Sequence, residues 1–183
     1  MHNCQRIRSQ LRKGAVSLTL LLIATSLSSS LLNADDKAAR ELDNDFLVLA
    51  ATQSRMVIEY SKLAADRGES EVVRAFAERL ITDHTAGDKE LATLLKDRGL
   101  IVSVTLTEEN QAELKRLKAL SGDQFDSEYM KRIVEDHEHC ITAFEAQIAH
   151  GKDEGIVAHC KEQLPALREH LEEAKEISAA LPE

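Results

Sequence analysis

Tryptophan is absent from this 183-residue chain, and proline occurs only twice, beside two tyrosines and four phenylalanines. An interior so short of large rings has to be filled by Leu, Ile, Val and Ala, and the scarcity of proline leaves long stretches free to be helical. Three cysteines, Cys4, Cys140 and Cys160, are too few for a disulfide framework, and no C-x-x-C redox pair occurs. Also missing are a Gly-rich phosphate loop, an H-E-x-x-H zinc signature and a recognisable Ser, Thr or Cys nucleophile motif. A phosphate-loop nucleotide is therefore not expected as a partner, and catalysis has no motif behind it. Beyond residue 34 no apolar run reaches the roughly 20 residues of a membrane span, which argues against a multi-span membrane protein.

The N-terminal part is basic where the rest is acidic. Arg6, Arg8, Arg12 and Lys13 precede the apolar run AVSLTLLLIATSLSSSLL, and no acidic residue comes before Asp35. That order is the pattern of a secretory leader, so residues 1–34 are expected to be a signal peptide and 35–183 a single exported domain. An uncleaved anchor is the competing reading. Cys4 lies too early to close the apolar run as a lipidated cysteine would. The expected location is the periplasm or the periphery of the outer membrane. Without residues 1–34, 19 basic residues face 32 acidic ones, a formal charge of -13. Such a field repels nucleic-acid phosphates and favours cations, although the same charge also serves plain solubility.

Apolar periodicity assigns the rest to helices. After a polar tail at 35–41, Phe46, Leu49, Ala50, Met56, Val57, Tyr60, Leu63 and Ala64 recur three and four apart until Gly68. A second helix is predicted from near Ser70, whose side chain is placed to cap Val72 or Val73, to Gly99. LIVSVTL then reads as an extended crossover rather than a strand, since a lone strand has no pairing partner. Thr105 with Glu108, or Thr107 alone, opens a short helix, with Gly122 as its C-terminal cap. A third long helix runs from about Asp123 to Ala149. The fourth follows Gly151 from Lys152 or Asp153 to about Ala180, with a kink or break expected at Pro165. The expected fold is all-α: a ferritin-like four-helix bundle with a long crossover containing an extra short helix.

Three histidines fall on the inward stripes. His84 follows Ala77, Leu80 and Ile81; His137 follows Met130, Ile133 and Val134; His170 follows Leu167 and precedes Ala174 and Ile177. At ~1.5 Å per residue each lies roughly 20 to 25 Å along its helix, so the rings are expected to meet near mid-bundle. Imidazole suits Zn, Cu or Fe, and three rings from three helices leave a coordination position open. The competing reading is a buried hydrogen-bonded network that fixes helix register. Neighbouring acids such as Asp83, Asp136, Glu138 and Glu169 belong mostly to the solvated faces, but one of them can hold the second nitrogen of a histidine on another helix. A di-iron carboxylate centre is disfavoured, because the residues three before the histidines are Ile81, Val134 and Leu167 rather than Glu. Cys140 shares a side with His137 and lies near the level of Cys160, so mixed N and S ligation, a Cys140–Cys160 disulfide and two buried free thiols all remain open. His139, His150 and His159 fall off the stripe and read as surface histidines.

Several segments are similar to the bacterial family called domain of unknown function 4142: FLVLA at Phe46–Ala50, KLA at Lys62–Ala64, FAERLITDH at Phe76–His84, LKALSGDQFDSEYM at Leu117–Met130, DHE at Asp136–Glu138 and LPALREHLEEA at Leu164–Ala174. The resemblance spans nearly all of 35–183. It implies an exported, ferritin-like helical protein with His84, His137 and His170 as signature residues, and it supplies no activity. Where the family's first helix carries a Glu, this chain is apolar around Met56 and Val57, and Glu59 faces elsewhere. Gln53 and Tyr60 are the nearest polar side chains on that stripe and, with Cys140, the candidates to support a metal. The leading expectation is a non-enzymatic structural, interaction or stress-related envelope module with an envelope protein as partner. The alternative is a transition-metal-binding or redox protein using the three histidines with Cu, Zn or Fe.

Overall fold

The computed structural model describes residues 15–102 and 106–182, with side chains from residue 36 onward. The basic start of the expected leader and Thr105 lie outside the described residues. Among the described residues five helices follow one another: α1 Ala15–Arg67, α2 Glu71–Asp97, α3 Glu108–Lys118, α4 Gly122–His150 and α5 Glu154–Ala180. The chain divides into two units, Met1–Arg40 and Glu41–Glu183. The first is helical from Ala15, and the second contains a four-helix bundle of α1, α2, α4 and α5 with α3 as the short crossover helix. Among the described residues no helix is long and apolar enough to cross a membrane.

The polar tail expected at 35–41 is part of α1 instead. No Gly or Pro occurs between Ala15 and Arg67 to stop the helix. α2 ends as predicted: Gly99 has φ 66°, Leu100 N–H donates to the Leu95 carbonyl and Gly99 N–H to that of Lys96, which satisfies carbonyls the last turn would leave unpaired. Thr107 opens α3 by accepting from Asn110 N–H. Gly122, expected to close α3, stands at φ 59° as the first residue of α4, and α3 has already ended at Lys118. α5 passes through Pro165 as one helix. The buried Leu164 and Leu167 on either side hold it there by packing.

Buried carboxylates tie the turns to the helices they face. Ser70 makes no side-chain cap; Asp126 of α4, fully buried, accepts from Glu69 N–H and Ser70 N–H and so ties the α1–α2 turn to α4. Asp43 of α1 does the same at the other end, accepting from Gln147 Nε2 and from the backbone N–H groups of Lys152 and Asp153 in the α4–α5 turn. The interior is two apolar clusters. One gathers Met56, Tyr60, Leu80, Leu117, Phe125 and Ile133 around the α1–α2 turn end, and the other gathers Phe46, Leu91, Phe144, Ile156 and Leu164 toward the α4–α5 turn. Between them lies a polar layer.

Candidate metal centre

That layer is the three histidines. α2, α4 and α5 each contribute one ring, and the ring centroids form a nearly equilateral triangle of 5.6, 5.7 and 5.6 Å. His137 and His170 are buried and His84 is partly buried. One nitrogen from each ring lies within 4.8 Å of the others. Corners no farther apart than that sit at most about 2.8 Å from a common centre, so ring movements of under an ångström reach the ~2.0 to 2.1 Å of a zinc–imidazole bond.

The hydrogen bonds decide which nitrogen faces inward with a lone pair. His137 Nδ1 lies 2.9 Å from the Ile133 carbonyl, which can only accept, so Nδ1 carries the proton. Ser54 of α1 donates its one proton to Asp88 Oδ1 at 2.6 Å, so its oxygen accepts from His84 Nδ1 at 3.2 Å. The Asp83 carboxylate accepts from His170 Nε2 at 3.0 Å. Each ring therefore spends its N–H outward. The remaining nitrogens, His84 Nε2, His137 Nε2 and His170 Nδ1, are buried without any hydrogen-bond partner, and in a neutral ring each is the acceptor. Burial, reinforced by the neighbouring rings, lowers the His84 pKa to about 3. Burial lowers that of His137 to about 4 against the opposing pull of the Ile133 carbonyl. Protonation at neutral pH is thus not the way the His84 and His137 lone pairs are satisfied.

A cavity of about 70 Å³ adjoins the rings. Gln53 and Cys140, two of the proposed supporting residues, line it. Tyr60 does not. It lies in the apolar cluster on the other side, with the Arg132 guanidinium 5.7 Å over its ring and burial pushing its phenol up to about 12. Cys140 and Cys160 stand as free thiols, each raised to about 12 by burial.

The acids divide differently from the sequence reading. Asp83 holds a histidine of another helix, as one of them was expected to. Asp136 is buried rather than solvated, gripped by Arg132 four residues before it, a pairing legible in the spacing. His139 and His150 are exposed as expected, but His159 is buried with Nδ1 3.2 Å from Glu90 and its ring against Phe144. Its stripe was misjudged because α5 also turns this side toward α2. Ser54 and Asp88 were missed. The signals were a serine at the Ala50–Val57 stripe spacing and an acid one turn after His84.

A model of the family described as "Domain of unknown function (DUF4142)" matches residues 28–177. No curated protein matches the chain. Among solved structures, a DUF305 fragment from Deinococcus radiodurans is similar at a TM-score of 0.68 and 11% identity, covering 76% of this chain and 97% of that one. A putative secreted DUF305 protein from Streptomyces coelicolor is similar at 0.64 and 17%, covering 75% and 92%. A conserved hypothetical protein from Mycobacterium tuberculosis gives 0.62 and 14%, with 79% and 96% covered. At these identities the likeness is one of fold.

Proposed function

The chain belongs to the DUF4142 family, whose name assigns no activity, and from its own side chains we propose that it binds a transition metal through His84, His137 and His170. One observation carries this reading: each of the three rings brings a nitrogen within 4.8 Å of the other two, and each has one buried nitrogen without a hydrogen-bond partner. A structural network of three neutral imidazoles would alternate donors and acceptors. Here every donor is directed away, and what the convergent nitrogens lack is a cation. Three imidazoles without a carboxylate among them favour Cu, Zn or Fe over Mg or Ca, which prefer oxygen. The Ile133 carbonyl, Ser54 with Asp88, and Asp83 would fix the tautomers that a metal needs. This places metal binding ahead of a purely structural or interaction role.

The supporting context is the sequence. The leader pattern of 1–34 supports export to the periplasm or the outer-membrane periphery, with 35–183 as the mature domain, and two helical pairs joined by a long crossover support a ferritin-like description. Determining the N-terminus of the secreted protein checks the first. For the centre, tag-free protein is incubated with Zn, Cu and Fe, desalted and analysed for metal. One equivalent per chain is expected, lost in the H84L/H137L/H170L variant. Less than about a tenth of an equivalent of any metal, with no metal-dependent rise in melting temperature, overturns the proposal.

A further inference from the structure

The two sides of the histidine layer are unlike. Leu80, Ile133 and Ala174, each one helical turn from a histidine, are fully buried and close one side within the apolar cluster of Met56 and Tyr60. On the other side, one to two turns toward the α4–α5 turn, lies the cavity. Gln53 of α1, Gly87 of α2, Cys140 and Phe144 of α4, and Gln163 and Ala166 of α5 form its wall. An ion held by three imidazoles keeps a further coordination position, and only the cavity side has room for what fills it.

Resting on the metal reading above, we propose that this position takes a small uncharged molecule of two or three heavy atoms from solution. The size follows from the wall. Gly87 brings α2 so close to α5 that a Cβ there would meet Gln163 Oε1 at 3.2 Å, and the space remaining is about 70 Å³. Lack of charge follows from the wall's electrostatics, since Asp83, Asp88 and Asp136 line it and no lysine or arginine does. An anion drawn toward the ion there meets three carboxylates and no basic side chain in the wall. Cys140 is the protein's own rival for the position. Its thiol belongs to the same wall, about one helical turn from His137.

The test uses the full mature chain loaded with Cu(I), with carbon monoxide as probe and the C–O stretch as readout. If iron or zinc loads instead, nitric oxide is added to the Fe(II) form or to the Co(II) form and read by spin resonance or visible absorption. A saturable one-to-one adduct is expected. Gly87→Leu should keep one equivalent of metal and weaken the adduct at least tenfold; if that variant loses its helicity, Ala166→Leu serves. Azide at millimolar concentration should leave the Co(II) spectrum unchanged. Failure to take up metal overturns the metal reading itself. Metal uptake without an adduct, an adduct indifferent to both variants, an azide-induced change, or a thiolate-to-metal absorption lost in Cys140→Ser overturns this inference alone.

Discussion

Acid should destabilise the metal-free protein through its histidines by an amount the burial sets. In the unfolded chain a histidine takes up its proton near 6.5, whereas in the fold His137 does so only near 4 and His84 near 3. A group whose folded pKa is depressed contributes stability that is complete above the unfolded pKa and drains away as pH falls through the window between the two. That window runs from about 6.5 down to 4 for His137 and to 3 for His84. At pH 5 the unfolded chain has gained both protons and the folded one almost none, which costs about 2 kcal/mol for the buried His137 and up to that much for the less buried His84. Burial also raises Asp88 and Asp136. Those carboxylates act with the opposite sign, taking up protons in the fold before the unfolded chain does. The measurement is therefore a difference. Urea unfolding of metal-free wild type and of H84L/H137L at pH 7.5 and pH 5 should show the wild type losing about 3 to 4 kcal/mol more than the variant. Saturating zinc should leave that excess in place, because a metal-bound ring stays unprotonated in the fold while the unfolded chain still takes up its protons. Equal losses in the two proteins would refute the claim that these rings are buried neutral.

Ser54→Ala or Asp88→Asn should weaken metal binding roughly 10- to 100-fold in a competition titration while helicity is retained, since each releases the His84 tautomer. Asp43→Ala should cost about 3 kcal/mol or more in chemical denaturation, because it leaves Gln147 and two turn N–H groups without their acceptor. Gly87→Ala should raise the melting temperature of the metal-free protein, by up to about 1 kcal/mol of helix propensity. The added Cβ meets only the movable end of Gln163, and a lowered melting temperature would show that this side chain cannot give way.

The helices and the inward direction of the three histidines were legible because both rest on local periodicity. Ala77, Leu80 and Ile81 define a stripe, and His84 falls on it whatever the rest of the chain does. Reading failed where a partner distant in sequence decides the local outcome. Ser70 has the composition of a helix cap, yet its side chain makes no cap bond, and its own N–H donates to Asp126, 56 residues later. Asp83 and Asp88 look like solvated acids on one helix. Only the register of α1 and α5 against α2 turns them into holders of His84 and His170. Pro165 invites a kink or a break on backbone grounds, and with the buried Leu164 and Leu167 on either side α5 runs on as one helix.

The same dependence on register bears on why the centre is read as a metal site. Each unsatisfied buried acceptor costs about 1 to 3 kcal/mol, and three of them approach the stability of an ordinary domain, about 5 to 15 kcal/mol. A single ring flip that turned one N–H inward would give the other two rings a donor and recover part of that cost. Three separate outward contacts oppose it: a carbonyl on α4, a serine on α1 and a carboxylate on α2. An arrangement held against its own relaxation from three helices is the form a preorganised cation site takes. A ring flip that proved free, seen as exchange among tautomers in the nitrogen spectra of the metal-free protein, would return the cluster to the status of a polar core layer.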